Sequence, residues 1–469
     1  MPRLNPDRLL PADPRTLEIA RALLKHVETL PIISPHGHTD PAWFAEDEQF
    51  PDPAQLLIVP DHYLLRMLHS QGVSLEQLGV KPRDGGDFER DGREIWRRFA
   101  ANYHLFHGTP TRIWMDWVLA DLFAIAEPLN AGTADLFYDR ISAQLAKSEF
   151  RPRALFDRFG IEVLATTEGA LDPLAHHAKI RKSGWKGKVI TTFRPDPALD
   201  PDNPQFQANL DQLEDMTGED CQSWKGYLAA LANRRAYFRD VGGATATDHG
   251  HPTAATADLS AADAEALFLR VRAGKATVAD HELFRGQMLT EMAAMSVEDG
   301  MVMQLHPGSL RNYDPAIFTR FGPDKGADIP ASTEYVRALR PLLNRFGNHP
   351  RFSMIVFTLD ETAYARELAP LAGLYPALKL GPAWWFHDSP EGIRRFREQT
   401  TETAGFYNGV GFNDDTRAFL SIPARHNLAR RMDCGFLARL VAEHRMEEEA
   451  AVEIAIDLTY RLAKRAYRL

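Results

Sequence analysis

The chain is predicted to be an α/β protein of the (β/α)8 TIM-like barrel class, and three observations carry that prediction. Short apolar, β-branched runs recur along it; helix-like stretches separate them; and most runs end in polar residues rather than in a turn. Eight runs are legible: Pro31–Pro35 (PIISP), Glu162–Thr167 (EVLATT), Lys188–Phe193 (KVITTF), Gly243–Asp248 (GATATD), Met301–His306 (MVMQLH), Arg351–Thr358 (RFSMIVFT), Ala377–Gly381 (ALKLG) and Asn408–Asn413 (NGVGFN). Strands alternating with helices build a parallel sheet, and eight of them close into a barrel that needs about 250 residues. The chain has 469, so the surplus is expected as insertions into one barrel spanning 1–469 rather than as three domains.

The spacing of the runs places those insertions. After the first run, residues 40–160 are rich in helix-favouring, aromatic and arginine residues (REIWRRFAANYHLF, TRIWMDWVLADLFAIA), which predicts a large helical insertion after strand 1. Leu171–Lys182, Thr333–Arg345 and Pro390–Ala404 read as barrel helices. A second helical insertion, 250–299, holds the alanine-rich TAATADLSAADAEALFLRVRAG. Glu447–Leu469 reads as an amphipathic closing helix whose leading glutamates suit the helix dipole.

Composition narrows the function. Sixty-four acidic residues against 54 Lys and Arg give a net charge of −10, which argues against nucleic acid as a partner. The two cysteines, Cys221 and Cys434, supply neither a disulfide framework nor a thiolate zinc site, so a reducing compartment is expected. The N-terminal stretch lacks the apolar core of a signal peptide, and no run of about 18 apolar residues exists to span a membrane. A cytoplasmic enzyme is therefore expected. Phosphate loops of the GxGxxG or GxxxxGK type, a GxSxG elbow and HExxH are all missing.

The strand ends supply the candidate chemistry. His36-Gly-His38 directly follows the first apolar strand, so the two rings sit on one side, about 7 Å apart along the backbone. Two imidazoles so placed can share one cation, and Gly37 removes the side chain that would point the other way. A second pair, His249-Gly-His251, follows the fourth run at the entry to the second insertion and is the lesser metal candidate. Asp415 and Arg417 in the last run are again i and i+2. Asp415 could bind metal or act as a base, kept ionised by the neighbouring guanidinium, or else cap a helix. His306 could be a ligand, a proton donor or a core histidine. Arg194 and Arg311 end the third and fifth strands, where a guanidinium can hold an anion bidentately or simply be solvated. Tyr63, with His62 and Arg66, lies at the mouth of the first insertion; it could move protons or pack inward. Trp384-Trp385 could wall a sugar or fill a core.

Taken together and in order, HGHTDP, DHYLLRML, TTFRPDP, TDHG, MQLHPGSLRNYD, GPAWWF and DDTRAFL…RH resemble the signatures of the uronate isomerases of the amidohydrolase superfamily, almost from end to end. The resemblance implies an amidohydrolase-type barrel that converts D-glucuronate to D-fructuronate and D-galacturonate to D-tagaturonate, moving a proton between C2 and C1 through a cis-enediol. It further implies one divalent metal per subunit, expected to be Zn2+, on His36, His38 and Asp415. Tyr63, His62, Asp415, Arg417 and His306 would serve catalysis, and Arg194, Arg311, Arg417 and Trp384 would hold the hexuronate. A homo-oligomer is expected. RIWMDWVLADLF departs from the charged pattern expected there. The competing expectation is a mononuclear metal-dependent hydrolase or decarboxylase on the same barrel. The fourth run ends without Lys and the sixth without His, which argues against the two-metal hydrolases of the superfamily.

Overall fold

The computed structural model describes residues 4–469; the first three residues of the N-terminal segment lie outside that range. Seven parallel strands form one curled sheet in chain order: β1 (Ile32–Ser34), β2 (Ile161–Gly169), β3 (Lys188–Arg194), β4 (Ala246–His249), β5 (Val302–Leu305), β6 (Met354–Val356) and β7 (Leu378–Leu380). Each strand is buried along most of its length, as a sheet covered on both faces requires. The register runs from Ile33 opposite Val163 round to Val356 opposite Leu380.

The eighth run corrects the expectation. Asn408–Asn413 is not a regular strand: a single bridge joins Leu380 to Gly409, with the Leu380 N–H on the Asn408 carbonyl at 2.8 Å. Gly411 then turns to φ +82°, where an added Cβ would come within 2.7 Å of the Leu458 carbonyl oxygen, and Asp415 sits at φ +41°. Such backbone cannot pleat. The barrel closes across this irregular arm, because the His38 N–H donates to the Thr416 carbonyl at 3.0 Å.

Other boundaries also move, the helix expected over Leu171–Lys182 beginning only at Ala175. The fourth strand begins at Ala246, not Gly243, because Gly243 at φ +68° ends the helix Trp224–Gly242. The helix expected over Thr333–Arg345 is confined to Arg340–Phe346; the buried Glu367 carboxylate instead accepts the Tyr335 N–H at 2.7 Å and holds that stretch out of helix. Pro390–Ala404 is helical throughout, with Ser389 as its cap and Pro390 in its first turn.

Between β1 and β2 run helices that include Pro41–Glu46, His62–Ser70, Gly92–Ala101, Pro110–Trp117 and Ala134–Leu145. They pack around their own apolar cluster, with Phe44, Trp96, Phe99 and Phe137 fully buried. Ala261–Arg272 and Val278–Asp299 lie between β4 and β5. The C-terminal Glu448–Ile456 continues through a π-turn into Leu462–Ala466, and Tyr467 reaches the barrel interior to donate to Gln304 at 3.2 Å. Among the described residues, no helix is long and apolar enough to cross a membrane.

Candidate active site

The strand ends open onto a cavity of ≈ 240 Å³, and all ten site candidates read from the sequence line it. His36 and His38 follow β1, and Asp415 comes from the irregular eighth arm. Asp415 Oδ1 lies 3.5 Å from His36 Nε2 and 3.2 Å from His38 Nε2. One ligand atom from each residue falls within 4.8 Å of the other two. Both His36 ring nitrogens and Asp415 Oδ1 are buried without a hydrogen-bond partner. A buried polar trio left so is costly unless something else satisfies it, and the N2O donor set suits a zinc-class divalent cation. These residues fit a metal.

Two details differ from the sequence reading. Asp415 is held far below the usual carboxylate range, against the upward push of burial, by the close approach and charge of His36 and His38 rather than by Arg417. Arg417 turns away to pair with Asp324 at 3.0 Å. Space does not demand Gly37 either, since an added Cβ would meet only ordinary contacts at 3.5 Å.

Asp61 positions His62 and Tyr63. It caps the helix His62–Ser70, accepting the Tyr63 and Leu64 N–H groups at 2.8 and 3.1 Å. The His62 and Tyr63 rings stack at 4.6 Å. Burial pushes the Tyr63 phenol well above its usual range and the negative charge of Asp388 adds to this, so Tyr63 is a proton donor at neutral pH. Burial and the positive charge of Arg417 lower His62 to about 3, leaving a neutral imidazole.

Of the four arginines on the cavity wall, three are each tied to a carboxylate. Arg194 bonds Asp196 at 3.0 Å and approaches Asp248 at 3.4 Å; Arg311 bonds Asp328 at 3.0 Å; Arg417 pairs with Asp324. These contacts fix the guanidinium planes and leave further N–H donors for an anion. The Arg311 guanidinium also lies 4.7 Å over the Trp385 ring. Trp384 lines the cavity, packs edge-on to His306 at 5.1 Å and donates its indole N–H to the Thr358 carbonyl.

Sequence reading missed the groups behind these. Asp248, fully buried at the end of β4, lies 2.8 Å from His306 Nε2 and links it to Arg194. Asp388 accepts from the Tyr63 hydroxyl at 3.3 Å and pairs with the buried Arg425 at 2.7 Å. Arg425 in turn sits 3.5 Å over the Trp114 ring, so the apolar RIWMDW segment provides the platform under this pair. TDHG and the terminal RH were visible signals for Asp248 and Arg425. Asp388 and the wall residues Asp324 and Asp328 carried none.

A glucuronate isomerase family model matches residues 15–467. The chain belongs to the uronate isomerase family. It is 66% identical to the uronate isomerase of Rhizorhabdus wittichii, over 100% of this chain and 99% of that one. The crystal structure of glucuronate isomerase from Caulobacter crescentus superposes with a TM-score of 0.97 at 59% identity, covering 99% of this chain and 97% of that one. That of the Thermotoga maritima uronate isomerase does so with a TM-score of 0.91 at 27% identity, covering 99% of both. The chain is thus a uronate isomerase-family enzyme on a TIM-like barrel, and its cavity brings arginines together with buried titratable groups.

Proposed function

We propose that the enzyme interconverts D-glucuronate with D-fructuronate, and D-galacturonate with D-tagaturonate, by proton transfer between C2 and C1 through a cis-enediol. The observation that carries this reading is the meeting, in one cavity, of Arg194, Arg311 and Arg417 with an ionised Asp415 and a protonated Tyr63. Aldose–ketose isomerisation needs a base at C2 and C1, an acid for the carbonyl oxygen and cationic anchors for the C6 carboxylate.

In this reading the arginines and Trp384 hold the sugar acid, with Arg417 serving both binding and proton movement. Asp415 removes the C2 proton, exchanges it in part with solvent and delivers a proton to C1. Tyr63 donates its proton to the C1 oxygen and recovers one from the C2 hydroxyl as the ketose carbonyl forms, and neutral His62, stacked on its ring, keeps the phenol aimed. His306, steadied by Asp248, hydrogen-bonds a substrate oxygen. One divalent metal on His36, His38 and Asp415, zinc by its ligand set, supplies Lewis-acid charge when bound. We read 40–160 and 250–299 as insertions into one barrel, the first bringing His62 and Tyr63 to the mouth. A reducing cytoplasm suits the two free, buried cysteines, and assembly as a homo-oligomer belongs to the same reading.

Incubation with each hexuronate, followed for ketose, tests the reaction. The expected result is ketose from glucuronate or galacturonate, with neutral aldoses turned over poorly. Inertness towards both, alongside hydrolysis of an ester or amide, would assign the cavity to metal-dependent hydrolysis instead.

A further inference from the structure

Among the described residues, one other group of side chains is arranged for a metal ion: Asp196, His249 and His251, whose ligand atoms lie within 4.8 Å of one another. His249 ends β4, His251 is two residues on, and Asp196 follows β3. His251 is 4% exposed and neither of its ring nitrogens has a hydrogen-bond partner. His249 is fully buried; Thr247 Oγ1 lies 3.0 Å from its Nε2 and leaves Nδ1 without a partner. Asp196 uses only Oδ2, which accepts from Arg194 Nε at 3.0 Å and from the Gly250 N–H at 2.9 Å, while Oδ1 is unpartnered and 3.9 Å from His251 Nε2.

Two buried imidazoles and a carboxylate with unused atoms converging is an expensive arrangement without a ligand. Tetrahedral zinc at about 2.0–2.1 Å needs donors about 3.4 Å apart, so the 3.9 Å gap closes with a small side-chain rotation. The outer contacts that metal ligands need are present: Thr247 orients the His249 ring, and Arg194 with the Gly250 N–H orients the carboxylate. The charge of Arg194 does not bar a cation, because Asp248 shares that guanidinium. Asp196 also lines an open surface cavity with Asn203 and Asp324, which gives an entry path.

We propose that Asp196, His249 and His251 form a second divalent-cation site of the zinc class, set in the wall behind Arg194. A cation on Oδ1 clamps the carboxylate whose other oxygen holds Arg194 at the cavity. The site does not depend on which reaction the enzyme performs, and its test counts metal rather than turnover.

The experiment is equilibrium dialysis of the purified protein against micromolar Zn2+, with bound zinc counted by mass spectrometry. Wild type is expected to hold two zinc ions per chain, and His251→Ala and Asp196→Asn one each. His38→Ala, which leaves the second group intact, is also expected to hold one. A folded His38→Ala protein that binds none overturns the proposal, and so does a His251→Ala protein that still binds two. If the His251 and Asp196 variants fail to fold, the His38→Ala count decides alone.

Discussion

At the scale of single residues, the proposed proton path rests on two acidic groups split far apart. Asp415 is held anionic by the histidines beside it, and Tyr63 is held protonated by burial next to Asp388. Asp415→Asn and Tyr63→Phe are each expected to lower kcat by about 10²–10⁴, the worth of a positioned acid or base; steady-state kinetics on glucuronate checks this, and a loss below about tenfold would remove the residue from the proton path. A different residue reports on stability. Burial raises Glu168 on β2 to about 7, despite hydrogen bonds from Thr191 and Thr166. A folded-state value above the ordinary 4.5 means that its contribution is full below pH 4.5 and is lost as pH rises through 7. The Tm of Glu168→Gln relative to wild type should therefore climb from pH 4.5 to 8, and a constant difference would show that the carboxyl is not buried as described. His36 and His38 were visible as candidates because they directly follow a buried strand, and Asp415 because it stands in the DDTR motif rather than at a strand end. Asp388 was not, since its meaning arises only when Tyr63, 325 residues away, and Arg425 pack onto it.

At the scale of elements, the apolar runs marked seven strands because each is a short, buried, continuous segment, and burial on both faces leaves that trace in sequence. The eighth was misread for a physical reason. Its run contains Gly411 in a left-handed conformation, and its hydrogen bonding shrinks to one bridge, so it reaches Asp415 as a loop. The i, i+2 argument for Asp415 and Arg417 consequently fails, although both reach the cavity. Gly250 shows the opposite case, where a glycine is dictated by packing. An added Cβ there would come within 2.5 Å of Arg194 Nη2 and 2.6 Å of His306 Cε1. Gly250→Ala is thus expected to displace both side chains and cut kcat/KM by about 100-fold, the cost of misplacement on the order of 1 Å, with the far-ultraviolet circular dichroism unchanged. Unaltered kinetics would mean that neither side chain is placed for the reaction.

At the scale of the whole molecule, a net charge of −10 opposes an anionic substrate, so capture rests on the cavity. Its wall carries four arginines against three aspartates, a small local excess, and three of the four guanidiniums are already paired with carboxylates. Attraction over distance is therefore weak, and recognition is short-range hydrogen bonding. Raising salt from low to physiological strength should change kcat/KM for glucuronate by less than about threefold; a steep fall would indicate steering by the wider surface. The barrel and its insert-like helices could be read from run spacing, whereas the closing of the sheet through His38 and Thr416 could not, being a tertiary contact across 378 residues. The central claim is proton transfer on a hexuronate, and proton NMR of D-glucuronate with the enzyme in D2O tests it most directly. Conversion to the ketose with solvent deuterium appearing at C1 is the predicted result; ketose wholly free of deuterium, or no ketose at all, would contradict it.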